Sequence, residues 1–192
     1  MLNFKIIFRV LGFLLVVEGV SMLIAMGVSA IYQDAGLMAL LNSALICLGV
    51  GSLTLLATKG ADKKIGKHEG FVIVSLVWVV FSFFGSLPYL LSHSIPSLTN
   101  AFFETMSGFT TTGSSILNDI ESLPNGILFW RSMTQWLGGM GIIVLSLAIL
   151  PIFGIGGMQL FAAEVPGPTP DKISPRISQT AKSLWIIYFG FT

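Results

Sequence analysis

Apolar residues along this chain form long, nearly uninterrupted runs separated by short polar stretches, with no strict alternation. A bilayer core about 30 Å thick takes about 20 residues of helix. Four runs reach that length: residues 6–30, interrupted by Glu18; 37–57, with Asn42 near the start; 71–91, uncharged but containing Pro88; and 127–150, with Arg131 near the start. A fifth begins near Leu184, and the sequence stops inside it at Thr192, which suggests a piece of a longer chain. The first run follows Lys5 and Arg9 and exceeds the roughly 7–15 residues of a signal-peptide core. With no small-residue cleavage site after it, it reads as a retained helix. The pattern predicts an all-α integral membrane protein.

Composition supports that reading. The 192 residues are 54% hydrophobic and 10% charged, against about 25% charged in a soluble domain, and the mean hydropathy is +0.87. A net charge of +1 leaves no basic surplus for nucleic acid. The one cysteine, Cys47, lies in an apolar run and reads as a small packing residue. The charges matter by their placement. Lys5 and Arg9, then Lys59, Lys63, Lys64 and Lys67, then Lys172, Arg176 and Lys182 occupy alternate connections, whereas 32–36 and 92–126 contain no Lys or Arg. The positive-inside rule then places the N-terminus and the 59–70 and 154–182 connections in the cytoplasm and 92–126 outside. Residues 158–163 are expected to form a short interfacial helix within the Gly- and Pro-rich 151–175 stretch.

The external connection is not an ordinary polar loop. Leu98 to Phe109 is too short to span and too apolar to lie free, so it fits a re-entrant helix of about three turns, capped by Thr99 or Asn100 and ending near Gly108. Thr110-Thr111-Thr112-Gly113-Ser114-Ser115 follows. Non-helical backbone at membrane depth is tolerated inside protein or along a water-filled cavity, and backbone carbonyls can replace an ion's hydration shell. Threonine favours extended backbone, and glycine permits the dihedrals that aim carbonyls inward. A short helix before a Thr-x-Gly run therefore invites a pore-loop reading. A membrane-dipping loop rich in turn residues remains the alternative on residue types alone.

The stretch FFETMSGFTTTGSS, then WRSMTQWLGGMGIIVLSLAILP, then AAEVPGP and KISPRI, resembles the TrkH-type potassium-uptake proteins of bacteria, within the Trk/Ktr/HKT superfamily. The similarity covers nearly the whole chain. It implies a pore subunit of four helix–pore-loop–helix repeats around one potassium path, in the inner membrane. Residues 1–58 would be two leading transmembrane helices, 71–153 the first repeat with its filter at 110–115, and 183–192 the start of the second repeat. By motif, Thr111, Thr112 and Gly113 would present potassium-binding backbone carbonyls, with Thr110 and Ser114 as flanking possibilities. The resemblance further implies potassium as the transported ion with no cofactor, no enzymatic reaction, a homodimer, and a cytosolic nucleotide-binding regulatory subunit (TrkA-like). Membrane lipid is the other expected partner. A non-conducting membrane scaffold or assembly subunit is the alternative.

The remaining polar residues admit plainer readings. Glu18, within a span, needs a buried hydrogen-bonded partner or a neutral form. Glu104 either adds field beside the ion or anchors the short helix to backbone amides behind the loop. The anchoring role is favoured, because a bare carboxylate would hold an ion too tightly. Asp119 and Glu121 either concentrate cations at the mouth or form a solvated face. Arg131 reads as snorkelling, Trp130 and Trp136 as interfacial, and Gly138, Gly139 and Gly141 as close-packing positions. His68 and His93 lie too far apart in sequence to suggest a metal or catalytic set.

Overall fold

The computed structural model describes residues 2–60, 67–149 and 183–191. Six helices are delimited: α1 Phe4–Tyr32, α2 Leu37–Ala57, α3 Lys67–Gly85, α4 Leu87–Leu91, α5 Leu98–Phe109 and α6 Asn125–Ile149. Residues 183–190 are also helical, and no strand occurs among the described residues. Among the described residues, three spans (α1, α2, and 68–91 across α3 and α4) are long and apolar enough to cross a membrane. The expected helix at 158–163 and most of the 154–182 connection lie outside the described residues. The chain divides into two compact units, residues 1–138 and 139–192. In the second, the space a Cβ would need at Gly139 is taken by the Tyr188 hydroxyl.

In the first unit, α1 and α2 form an antiparallel hairpin. Large side chains would hold two helices apart, but glycines on both faces let the backbones approach. A Cβ on Gly51 would lie 2.8 Å from the Gly12 carbonyl oxygen, and one on Gly19 2.9 Å from Leu48 Cγ. Met22, Ala25, Leu40, Ala44 and Cys47 are buried along this seam. Phe13, Leu45, Leu53 and Val79 remain exposed.

The third apolar run is not one continuous helix. Proline lacks the amide and crowds the carbonyl four residues back, and the helix breaks at Ser86, two residues before Pro88. Tyr89 N–H donates to the Ser86 carbonyl at 3.1 Å, which leaves the Gly85 carbonyl without its usual i+4 donor. The Trp130 indole N–H takes that place from α6, at 2.9 Å. Trp130 is therefore fully buried, which corrects the interfacial reading: its polar atom is used inside the protein. Its ring meets Phe109 edge-on with centroids 6.5 Å apart, and Phe109 in turn meets Phe81 at 5.3 Å.

Helix α5 has 12 residues, about 18 Å of rise, well short of a bilayer core. Ser97 occupies its N-cap position, and its side chain makes no capping bond, so neither Thr99 nor Asn100 is the cap. The C-terminal end lies tight against α6, with Gly108 facing the Thr134 side chain and Gly138 facing the Phe109 carbonyl. Lys67 begins α3 and does not belong to a loop. Both carboxylate oxygens of Glu18 are buried without a hydrogen-bond partner among the described residues. Of the two readings open to Glu18, a hydrogen-bonded partner or a neutral form, the first is not met among the described residues, and Glu18 Oε1 lies 2.8 Å from where a Cβ of Gly85 would sit.

Candidate functional site

Residues 110–116 leave the end of α5 in a tight turn and then run exposed. Their amides fold back onto the helix that precedes them. Thr110 N–H donates to the Met106 carbonyl and Thr111 N–H to that of Gly108, both at 2.9 Å. The Ser107 carbonyl receives Thr112 N–H at 3.0 Å and Gly113 N–H at 3.4 Å. Two left-handed residues make this reversal possible, Thr111 at φ +56° and Gly113 at φ +76°. The glycine matches expectation. The threonine does not: extended backbone is its preference, and a β-branched residue at positive φ is an outlier. Such strain persists where surrounding bonds over-determine it; here the Thr111 amide is held by Gly108, and the Thr110 and Thr112 hydroxyls pair at 2.8 Å beside it.

With the amides turned inward, the carbonyl oxygens of Thr111, Thr112 and Gly113 accept no hydrogen bond among the described residues. The next carbonyl differs. Ser107 Oγ donates to the Ser114 carbonyl at 2.6 Å, so Ser114 is tied to the helix. Thr111, Thr112 and Gly113 thus form an exposed run of three neutral, unused oxygens next to the C-terminal end of a helix. That end carries partial negative charge, and the arrangement suits a cation.

A second layer holds this run from behind. Glu104, on α5, is buried. Its Oε2 accepts Ile116 N–H at 3.0 Å, both oxygens accept the Ser115 hydroxyl at 3.0 Å, and Oε1 accepts Arg131 Nε at 2.8 Å. The carboxylate therefore points into the scaffold, in the anchoring role favoured by its chemistry. Arg131 is the residue the sequence reading missed: it does not snorkel but crosses from α6 to balance a charge 27 positions away. Ser107 was missed as well, and only its spacing of seven from Ser114 hints at the bond. Asp119 and Glu121 are exposed.

Asp34 was also missed. In the turn after α1 it accepts the Ser29 hydroxyl, Gly36 N–H at 2.9 Å and, from the start of α6, Gly126 N–H at 2.8 Å. Burial alone raises its pKa, but the bonds from Ser29, Gly126, Gly36 and Asn125 outweigh this and hold the carboxyl below its ordinary value.

Comparison with known proteins adds a family. A model of the family described as TrkH, cation transport protein, matches residues 36–192. The Trk system potassium uptake protein TrkH of Escherichia coli (strain K12) is 46% identical over 194 residues, covering 100% of this chain and 40% of that protein. The namesake from Vibrio parahaemolyticus (serotype O3:K6) is 42% identical over 193 residues, with the same coverage. The crystal structure of the potassium transporter TrkH from Vibrio parahaemolyticus superposes with a TM-score of 0.81 at 38% identity, covering 98% of this chain and 37% of that one. The chain thus spans about 40% of the length of the curated relatives it matches.

Proposed function

This chain belongs to the TrkH family of cation transport proteins, and from that membership we propose that it supplies the first filter strand of a potassium-uptake pore. Thr111, Thr112 and Gly113 offer their carbonyl oxygens to a dehydrating potassium ion. Equivalent strands from three further repeats complete the ring, since one strand cannot surround an ion. Carbonyl dipoles replace the hydration shell without a fixed negative charge that would retain the ion. The membrane potential drives entry at about 2.3 kcal/mol per charge per 100 mV. No covalent step is required of any residue.

The observation that carries this reading is the run of three carbonyls without hydrogen-bond donors, behind which every amide from Thr110 to Gly113 is already spent on α5. The distribution of basic residues supports a cytoplasmic N-terminus, and we place the protein in the inner membrane from its family membership. We further read the working protein as a homodimer that docks a cytosolic nucleotide-binding subunit on its basic face.

Gly113 gives the test. No atom lies within 4 Å of the position a Cβ would take there, yet φ is +76°. Gly113→Ala in the full-length protein therefore perturbs the backbone without a clash. We expect potassium uptake, measured in cells lacking other uptake systems, to fall about tenfold or to lose discrimination against sodium, a barrier change of about 1.4 kcal/mol. Unchanged uptake and selectivity would overturn the assignment.

A further inference from the structure

Away from the loop, the N-terminal end of α1 and the C-terminal end of α2 flank an open groove of about 500 Å³. Its walls include Val10 and Phe13 from α1 and Leu55 and Leu56 from α2, and two cations border it, Arg9 and Lys59. We propose that this groove is a binding site for one anionic phospholipid, with the phosphate between Arg9 and Lys59 and acyl chains along the apolar walls.

Depth supports the occupant. Helix α1 has 29 residues, about 43 Å of rise, so it outruns a hydrocarbon core of about 30 Å and carries Arg9 to the headgroup level. Helix α2, with 21 residues, only just spans, which places Lys59, two residues beyond it, at the same level. Geometry distinguishes Arg9 from a snorkelling side chain. Its Nη1 donates to the Thr58 carbonyl at 3.0 Å, a bond that caps α2 and fixes the guanidinium at the groove. Its other donors, and the Lys59 ammonium, have no partner among the described residues. A planar guanidinium fits phosphate oxygens in pairs, and a lysine adds a point charge. No carboxylate lines the groove. Glu69, an acid near this end of the bundle, is occupied by the Asn3 amide at 3.1 Å. The apolar walls favour a lipid over a free anion: Phe13 and Leu56 are 58% and 56% exposed, a surface that small hydrated ions do not cover.

The test uses the full-length protein in detergent, with phosphatidylglycerol and phosphatidylcholine as probes and native mass spectrometry to read occupancy. Phosphatidylglycerol should bind in preference. Lys59→Gln should weaken it about fivefold, the effect of one interfacial cation, while Lys5→Gln, a cation outside the groove, should change nothing. Arg9→Gln together with Lys59→Gln should abolish the preference. Because Arg9 also caps α2, Lys59→Gln alone decides the matter if the double variant does not fold. Equal binding of the two lipids, or an undiminished preference in Lys59→Gln, would overturn the proposal. So would displacement of phosphatidylglycerol by inorganic phosphate, which would show a small-anion site.

Discussion

Keeping a buried carboxylate ionised is costly without partners, and at Glu104 the balance is shared among Arg131, Ser115 and the Ile116 amide. The pair is well shielded, with side-chain exposures of 15% for Arg131 and 1% for Glu104. Removing one partner strands the other, at about 3–5 kcal/mol. Arg131→Gln and Glu104→Gln should therefore each lower the thermal midpoint of the full-length protein markedly, and the double variant should lose less than the sum. Strict additivity in that double-mutant cycle would show that the two do not interact. Half of this arrangement was legible beforehand. The chemistry of ion release argued that Glu104 faces the scaffold. Its partner was hidden because an arginine near a helix end has an ordinary explanation at the interface, and a separation of 27 residues carries no periodic signal.

At the level of elements, the long runs were readable because bilayer thickness fixes helix length, and α2 begins and ends where the apolar run does. The break in the third run was announced by Pro88 but its consequence was not. A proline predicts a kink; it does not say which donor answers the freed carbonyl. Trp130 answers it, and in doing so ties the α3–α4 break to α6 beside the end of α5. Trp130→Phe keeps most of the ring volume but deletes the N–H, leaving the Gly85 carbonyl buried and unpaired at about 1–3 kcal/mol. The expected outcome is a lowered thermal midpoint with the helix content by circular dichroism unchanged. An unaltered midpoint would mean that the indole bond contributes nothing. The dihedral of Thr111 was illegible for a related reason: its intrinsic preference is extended, and the bonds that overrule it come from the helix behind it.

Across the first unit, Asp34 joins the leading hairpin to the helices that follow it by linking the α1–α2 turn to the first amides of α6, 92 residues away. The short polar connection at 32–36 gave no sign of this, because an Asp before a Gly is what any turn contains. The electrostatics yield a signed prediction. The folded-state pKa of Asp34 is depressed below the ordinary value of 3.8. A depressed carboxylate contributes stability that is fully present above the unfolded pKa and is lost as pH falls through the folded one. Asp34 should thus stabilise the joint at neutral pH and release it only in acid below about pH 4. Asp34→Asn keeps the size and one acceptor oxygen but removes the charge that draws in the Ser29 hydroxyl and two or more amides. Its thermal midpoint should lie below that of the parent protein at pH 7, and the difference should shrink as pH is taken below 4. A gap that stays constant over that range would show that the joint holds by shape and not by charge.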